Sequence, residues 1–127
     1  MEMGHGDEIV IADGNFPAAS IARRLVRADG HGIPPILGAV LKLFPLDIYV
    51  PKPVALMQLV PGDTVKTPIW DDYRCILMDS GEKFTDFEFV ERFAFYDRAR
   101  AAYAVVATGE AALYANIILK KGVVKTP

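Results

Sequence analysis

The chain of 127 residues has little cysteine, little histidine and no excess charge of either sign, and each shortage excludes something. A single cysteine, Cys75, cannot close an internal disulfide, so no disulfide framework holds this chain, and one thiol suits a reducing compartment. Two histidines and that one cysteine are too few for a Cys/His structural zinc site. Apolar runs are short and interrupted by charge, so the sequence predicts no bilayer-spanning helix. Fourteen basic against sixteen acidic residues leave a net charge of −2, which argues against a protein built to grip nucleic-acid phosphates or an anionic membrane. The first thirteen residues lack the basic start and sustained apolar core of a signal peptide. The expectation is a cytoplasmic protein with neither nucleic acid nor membrane as partner.

What is abundant is apolar material. Hydrophobic residues make up 52% of the chain, and with the ten glycines the apolar share exceeds the ~45–50% of typical domains. A small domain has much surface for its volume and cannot hide such an excess alone, so a homo-oligomer is expected. The length suits one domain spanning residues 1–127, with no repeat, linker or low-complexity tract.

Glu8 to Asp13 reads as a buried strand closed by Gly14-Asn15, followed by a helix from Ala18 to Leu25 with Pro17 at its entrance. Ile36, Leu37, Val40, Leu41 and Phe44 share one stripe, which predicts a helix over 34–44. Strands are expected at 47–50 and 54–60, a helix at 70–78, a helix at 93–102, and strands at 103–107 and 116–119. Residues 80–90 carry no clear period. Strands alternating with helices point to an α/β/α domain of three layers around a central, largely parallel (mixed) sheet. In such folds ligands sit beyond the carboxyl ends of strands, which draws attention to Asp13 at the end of the first strand and to Asp47.

Glycines on both sides of His5 leave room for a ligand to approach the imidazole, the side chain best poised for proton transfer near neutral pH. Taken alone, a histidine so near a terminus is more often idle. Asp13 and Asp47 suit acid–base work or hydrogen bonds to sugar hydroxyls, although a lone carboxylate at a strand end is commonly a turn residue. Arg92 stands at a helix start, where its charge opposes the helix dipole, and that mismatch hints at another task. Tyr96, Tyr114 and Asn116 offer polar groups beside aromatic faces, as a neutral polyol requires, and Met57 reads as core. Thr108-Gly109-Glu110 resembles a phosphate turn only faintly, and no P-loop lysine follows it.

Gly4-His5-Gly6-Asp7-Glu8-Ile9-Val10-Ile11-Ala12-Asp13-Gly14-Asn15-Phe16-Pro17-Ala18 resembles the opening block of the fucose mutarotase family, relatives of ribose pyranase. The likeness continues through Arg27-Ala28-Asp29-Gly30-His31-Gly32-Ile33-Pro34, Pro45-Leu46-Asp47 and Arg92-Phe93-Ala94-Phe95-Tyr96-Asp97-Arg98. It closes with Ala107-Thr108-Gly109-Glu110 and Tyr114-Ala115-Asn116-Ile117-Ile118-Leu119-Lys120-Lys121-Gly122, so it spans nearly the whole chain in the family's order. The resemblance implies a cofactor-free isomerase that interconverts the α and β anomers of L-fucose, with exchange of pyranose and furanose D-ribose as the alternative within the family. A non-catalytic monosaccharide-binding module is the alternative outside it. By position, the resemblance makes His5 a proton donor and Asp47 a second, acidic catalytic residue, with Asp47 or a bound water as the partner base. It places Asp13, Met57, Arg92, Tyr96, Tyr114 and Asn116 on substrate contacts, with no metal. It further implies ring assemblies, often decamers, with pockets shaped partly by neighbouring subunits. A helical segment ahead of the histidine block is also expected, and this chain opens almost at that block.

Overall fold

The computed structural model describes residues 3–123. Among these, six strands form one sheet in the order β2-β5-β1-β6-β3-β4. They are β1 (Glu8–Ala12), β2 (Leu25–Ala28), β3 (Val54–Met57), β4 (Glu88–Val90), β5 (Ala104–Thr108) and β6 (Ile117–Lys120). β1 pairs in parallel with β5, β5 with β2, and β3 with β4, whereas β6 runs antiparallel to both β1 and β3. Five strands therefore point one way and β6 alone points back, which makes the sheet mixed and largely parallel.

Alternation along the strands feeds two cores. Ile11, Val54, Leu56, Ile117 and Leu119 face α2 (Ile33–Leu41) and α3 (Pro68–Asp79), while Val10, Ala12, Ala55, Met57, Val105 and Ile118 face α1 (Ala18–Ile21) and α4 (Arg92–Ala101). Central strands buried on both faces read as continuous apolar runs, as they do here. The result is the expected three-layer α/β/α arrangement.

The helix entrances are satisfied from elsewhere in the chain. Pro34 and Pro35 have no N–H to leave orphaned in the first turn of α2, and the Ile33 N–H donates to Glu110 Oε1 at 2.9 Å. At the start of α4 the Glu91 carboxylate accepts from the Phe93 and Ala94 N–H groups. The faintly phosphate-like turn has its own structural task. Thr108 Oγ1 donates to Ala12 O at 2.7 Å, Gly14 N–H donates to Glu110 O at 2.8 Å, and a Cβ at Gly109 would stand only 2.3 Å from Asp29 O. Only glycine fits there, and the turn ties the end of β1 to the start of α2.

Two expectations need correction, and one stretch left open is filled. The helix expected from Ala18 to Leu25 ends at Ile21; Ala22 is already extended, and Leu25–Ala28 pairs with β5 as an edge strand. Sheet pairing there outweighs the local helical pattern of alanine and arginine. The strand expected at 47–50 is irregular chain, because Asp47 Oδ1 accepts the Tyr49 N–H at 2.9 Å and turns the backbone instead of extending it. Asp47 thus follows a single bridge at Leu46 and opens no strand. Within the uncertain 80–90 stretch lies β4, too short to declare a period.

Candidate functional site

The carboxyl ends of β1, β3 and β4 and the amino end of the reversed β6 meet on the α1/α4 side of the sheet. Asp13 follows β1, Met57 ends β3, Arg92 opens α4 just after β4, and Tyr114 and Asn116 lead into β6. Together with Tyr96 from α4 they line one cavity of about 200 Å³. This is below the ~300 Å³ at which pockets for drug-sized ligands begin, and it suits one small ring. All six residues expected to contact substrate thus converge.

The polar groups of this cavity are locked before any ligand arrives. Asn116 Oδ1 accepts the buried Asp13 N–H at 2.7 Å, which leaves the Asn116 amide N–H₂ to donate. Asp13 Oδ1 accepts the Asn15 N–H at 3.0 Å. Burial pushes the Asp13 carboxyl above its ordinary range, and the Glu110 charge adds to this; the backbone N–H groups of Asn15, Ala115 and Phe16 offset only part of the rise. The Tyr114 hydroxyl donates to Asp63 Oδ2 at 2.7 Å and accepts the Val60 N–H at 3.2 Å. Tyr114 itself sits at φ 56°, in the left-handed region that costs a non-glycine residue of order 1–3 kcal/mol. α3 holds this segment in place: Trp70 Nε1 donates to Tyr114 O at 2.8 Å and the buried Tyr73 hydroxyl to Ala115 O at 2.6 Å. Arg92 makes no ion pair among the described residues; its guanidinium lies over the Phe93 ring, 4.7 Å from the centroid, at the cavity wall.

Phe16, Val60 and Leu113 supply the apolar wall, and Asn15 adds an amide. Sequence reasoning did not single these four out. Their signal was adjacency, since each lies within a few residues of a site residue on a loop beyond a strand end, where rigid scaffolds commonly carry function.

His5 and Asp47 lie elsewhere. His5 Nε2 is 3.2 Å from Asp47 Oδ1, and the imidazole packs edge-on against Tyr49 at 5.4 Å between centroids. The Asp47 side chain is 5% exposed and that of His5 46%. Burial alone raises the Asp47 carboxyl, but the Tyr49 N–H, His5 and the Lys120 charge together hold it below the usual range. His5 precedes β1 and Asp13 follows it, so the two stand at opposite edges of the sheet. The five residues of that strand alone rise roughly 16 Å. One copy of the chain therefore brings six of the expected residues together in one cluster and the remaining two together in another. Asp7 and Glu8, beside His5, are engaged otherwise: Asp7 Oδ2 accepts the Gly4 N–H, and Glu8 pairs with Arg98.

Comparison with known proteins places this arrangement. Residues 1–124 match the model of the RbsD / FucU transport protein family. A fucose mutarotase from Bos taurus is 57% identical over 95% of this chain and 82% of its own length. The crystal structure of the fucose mutarotase from Streptococcus pneumoniae in complex with L-fucose superposes with a TM-score of 0.92 at 51% identity, covering 98% of this chain and 88% of that one. FucU from Bifidobacterium longum gives a TM-score of 0.93 at 57% identity, covering 98% and 90%. With a family model spanning almost every residue and relatives alike in both sequence and fold, the chain belongs to the RbsD / FucU family.

Proposed function

We propose that this protein is an L-fucose mutarotase that binds the free monosaccharide in the carboxyl-edge cavity. The observation that carries the reading is that cavity, where a carboxylate, two amides, a guanidinium and two phenols face an apolar wall on a fold shared with a fucose-bound relative. Asp13 accepts from a sugar hydroxyl, while Asn116 and Arg92 donate. Met57, Tyr96, Phe16 and Leu113 pack against the apolar ring face and the C6 methyl group.

Mutarotation needs one proton delivered to the ring oxygen and one removed from the anomeric hydroxyl. The C1–O5 bond then breaks, the aldehyde forms, C1 rotates, and the ring closes on its other face. His5 delivers the proton. Its Nε2 is engaged by Asp47, which leaves Nδ1 free to move a proton. Asp47 accordingly serves to orient His5, and the anomeric proton leaves to a water molecule that returns one to His5. Positioned acid–base catalysis supplies about 10²–10⁴-fold, or ~3–5 kcal/mol, enough for a reaction that already runs slowly in water.

A homo-oligomer completes the site. The cavity of one copy receives the His5–Asp47 pair of the next, because within one chain the two clusters sit on opposite sheet edges. Both edges carry exposed apolar side chains suited to burial: Leu113 (53% exposed) in the cavity wall and Phe93 (61%) under Arg92, and Tyr49 (73%) beside His5. Two different patches meeting head to tail make a heterologous contact, and such contacts form a ring when their rotation closes. A cytoplasmic location belongs to the same proposal and rests on the one cysteine, Cys75, which is free and exposed.

Two-dimensional exchange NMR on the anomeric protons of L-fucose tests the activity. Cross-peaks between the α and β forms that grow with protein concentration are expected. Exchange of D-ribose forms without that of fucose would make the chain a pyranase, and sugar binding without exchange would make it a binding module.

A further inference from the structure

We infer that Asp63, which lies outside the cavity, is a positioning residue for sugar binding: it fixes both the place of the Tyr114 hydroxyl and the direction of its hydrogen bonding. The inference rests on reading the carboxyl-edge cavity as the sugar site.

The loop after β3 is built to present this carboxylate. Asp63 N–H donates to Val60 O at 2.9 Å, closing a turn with Pro61 at its second position and Gly62, at φ +86°, at its third. This is the pattern of a type II turn, where a positive φ calls for glycine. Val65 N–H then donates to Asp63 Oδ1 at 3.0 Å, which orients the carboxylate so that Oδ2 takes the Tyr114 hydroxyl at 2.7 Å. That hydroxyl bond and the Val65 N–H hold Asp63 below the ordinary carboxylate range, so it remains an acceptor throughout the neutral region.

A phenol has one proton and two lone pairs. The Tyr114 proton is committed to Asp63, and one lone pair is committed to the Val60 N–H. The one lone pair that remains can only accept, so a sugar hydroxyl meeting the Tyr114 oxygen must donate. Asn116 is oriented rather than locked: its oxygen holds the Asp13 N–H with one lone pair, which fixes the side chain and leaves its NH₂ as a donor. The phenol, bifunctional in isolation, thus becomes a fixed acceptor. At the other end of Tyr114 the backbone carbonyl is held by Trp70, so Asp63 and Trp70 together pin the residue at its left-handed φ.

The test is a double-mutant cycle read as L-fucose affinity by NMR titration, with exchange at saturating sugar measured alongside and the amide spectrum as the check on folding. Asp63→Ala is expected to raise Kd about five- to tenfold, the scale of one hydrogen bond, with the saturating exchange rate changed less than about twofold. In a Tyr114→Phe background the same substitution should add less than about twofold. Asp63→Asn, which keeps the turn and the Val65 bond, should fall between wild type and Asp63→Ala, and it carries the cycle if the alanine variant does not fold. Equal losses in the Tyr114 and Tyr114→Phe backgrounds, no loss in either, or a fall in the saturating rate at unchanged affinity would overturn the inference. Wild-type protein that binds L-fucose without speeding exchange would remove the mutarotase reading alone, because the affinity cycle still decides the role of Asp63.

Discussion

The two edges of the sheet are built on different plans. At the carboxyl edge, strand ends and the reversed β6 gather six side chains into one cavity, and the Asp13, Asn116 and Tyr114 groups are already hydrogen-bonded inside the protein. At the amino edge, a half-exposed histidine on a glycine-flanked loop is held by one buried carboxylate. The first plan is that of a binding site, where fixed donors and acceptors spare the ligand the cost of ordering them. The second suits the proton carrier we propose, which lacks, within its own chain, both a substrate and a cover against water. Each edge supplies what the other is missing, and a second copy of the chain is the simplest way to join them.

Breaking the amino edge should give the largest effect. His5→Ala is expected to lower the saturating exchange rate about 10²–10³-fold while changing L-fucose affinity less than about threefold. Exchange NMR and a binding titration on the same sample check it, and an equal loss in both would merge the two edges into one role.

Breaking the carboxyl edge should reverse that pattern. Asn116→Ala removes a donor to the sugar and also strands the buried Asp13 N–H, at a cost of about 1–3 kcal/mol. Affinity should weaken roughly ten- to a hundredfold. Thermal unfolding should fall by roughly 3–6 °C for each kcal/mol lost.

Asp47→Asn sharpens the comparison through pH. Because folding holds the Asp47 carboxyl below 3.8, its stabilising contribution is fully present above that value and is lost as pH falls through the folded pKa. The variant should therefore be less stable than wild type at neutral pH, with the gap closing below about pH 4 in chemical denaturation. Its exchange rate should fall about tenfold, less than for His5→Ala, because Asp47 orients the proton carrier without being one. A stability gap that stayed constant down to pH 2 would separate Asp47 from that linkage.

Much of this layout was legible in the sequence. The apolar runs of β1, β3, β5 and β6 announced a buried sheet, and the stripes of α2 and α3 announced its cover. Asp13 was suspect because it closes a strand, and the matched blocks of the chain held the other expected site residues except Met57, which read as core. What was hidden has physical reasons. β2 and β4 are edge strands of four and three residues, too short for a period, and pairing alone declares them strands. The turn at Asp47 comes from its own side chain, which competes with an extended run flanked by prolines. Asp63 stayed out of sight because it acts on the cavity through another residue, and no local pattern marks a carboxylate that is 51 positions from its phenol. The sequence did place His5 ahead of a strand that Asp13 closes, so their separation was readable; the pairing of His5 with Asp47, 42 positions away, was not.

The central claim is that each site takes its proton carrier from one subunit and its cavity from another. Mixing chains tests it most directly. At a sugar concentration well below the wild-type Kd, His5→Ala and Asn116→Ala are each expected to be nearly inactive as pure assemblies, and neither chain carries both intact halves. Co-assembled in equal amounts, random neighbours pair an intact His5 edge with an intact cavity in roughly a quarter of sites. The account predicts that exchange of L-fucose recovers to about that fraction of the wild-type rate. A mixture that exchanges no faster than the sum of its two parents, in assemblies shown by mass spectrometry to contain both chains, would contradict it.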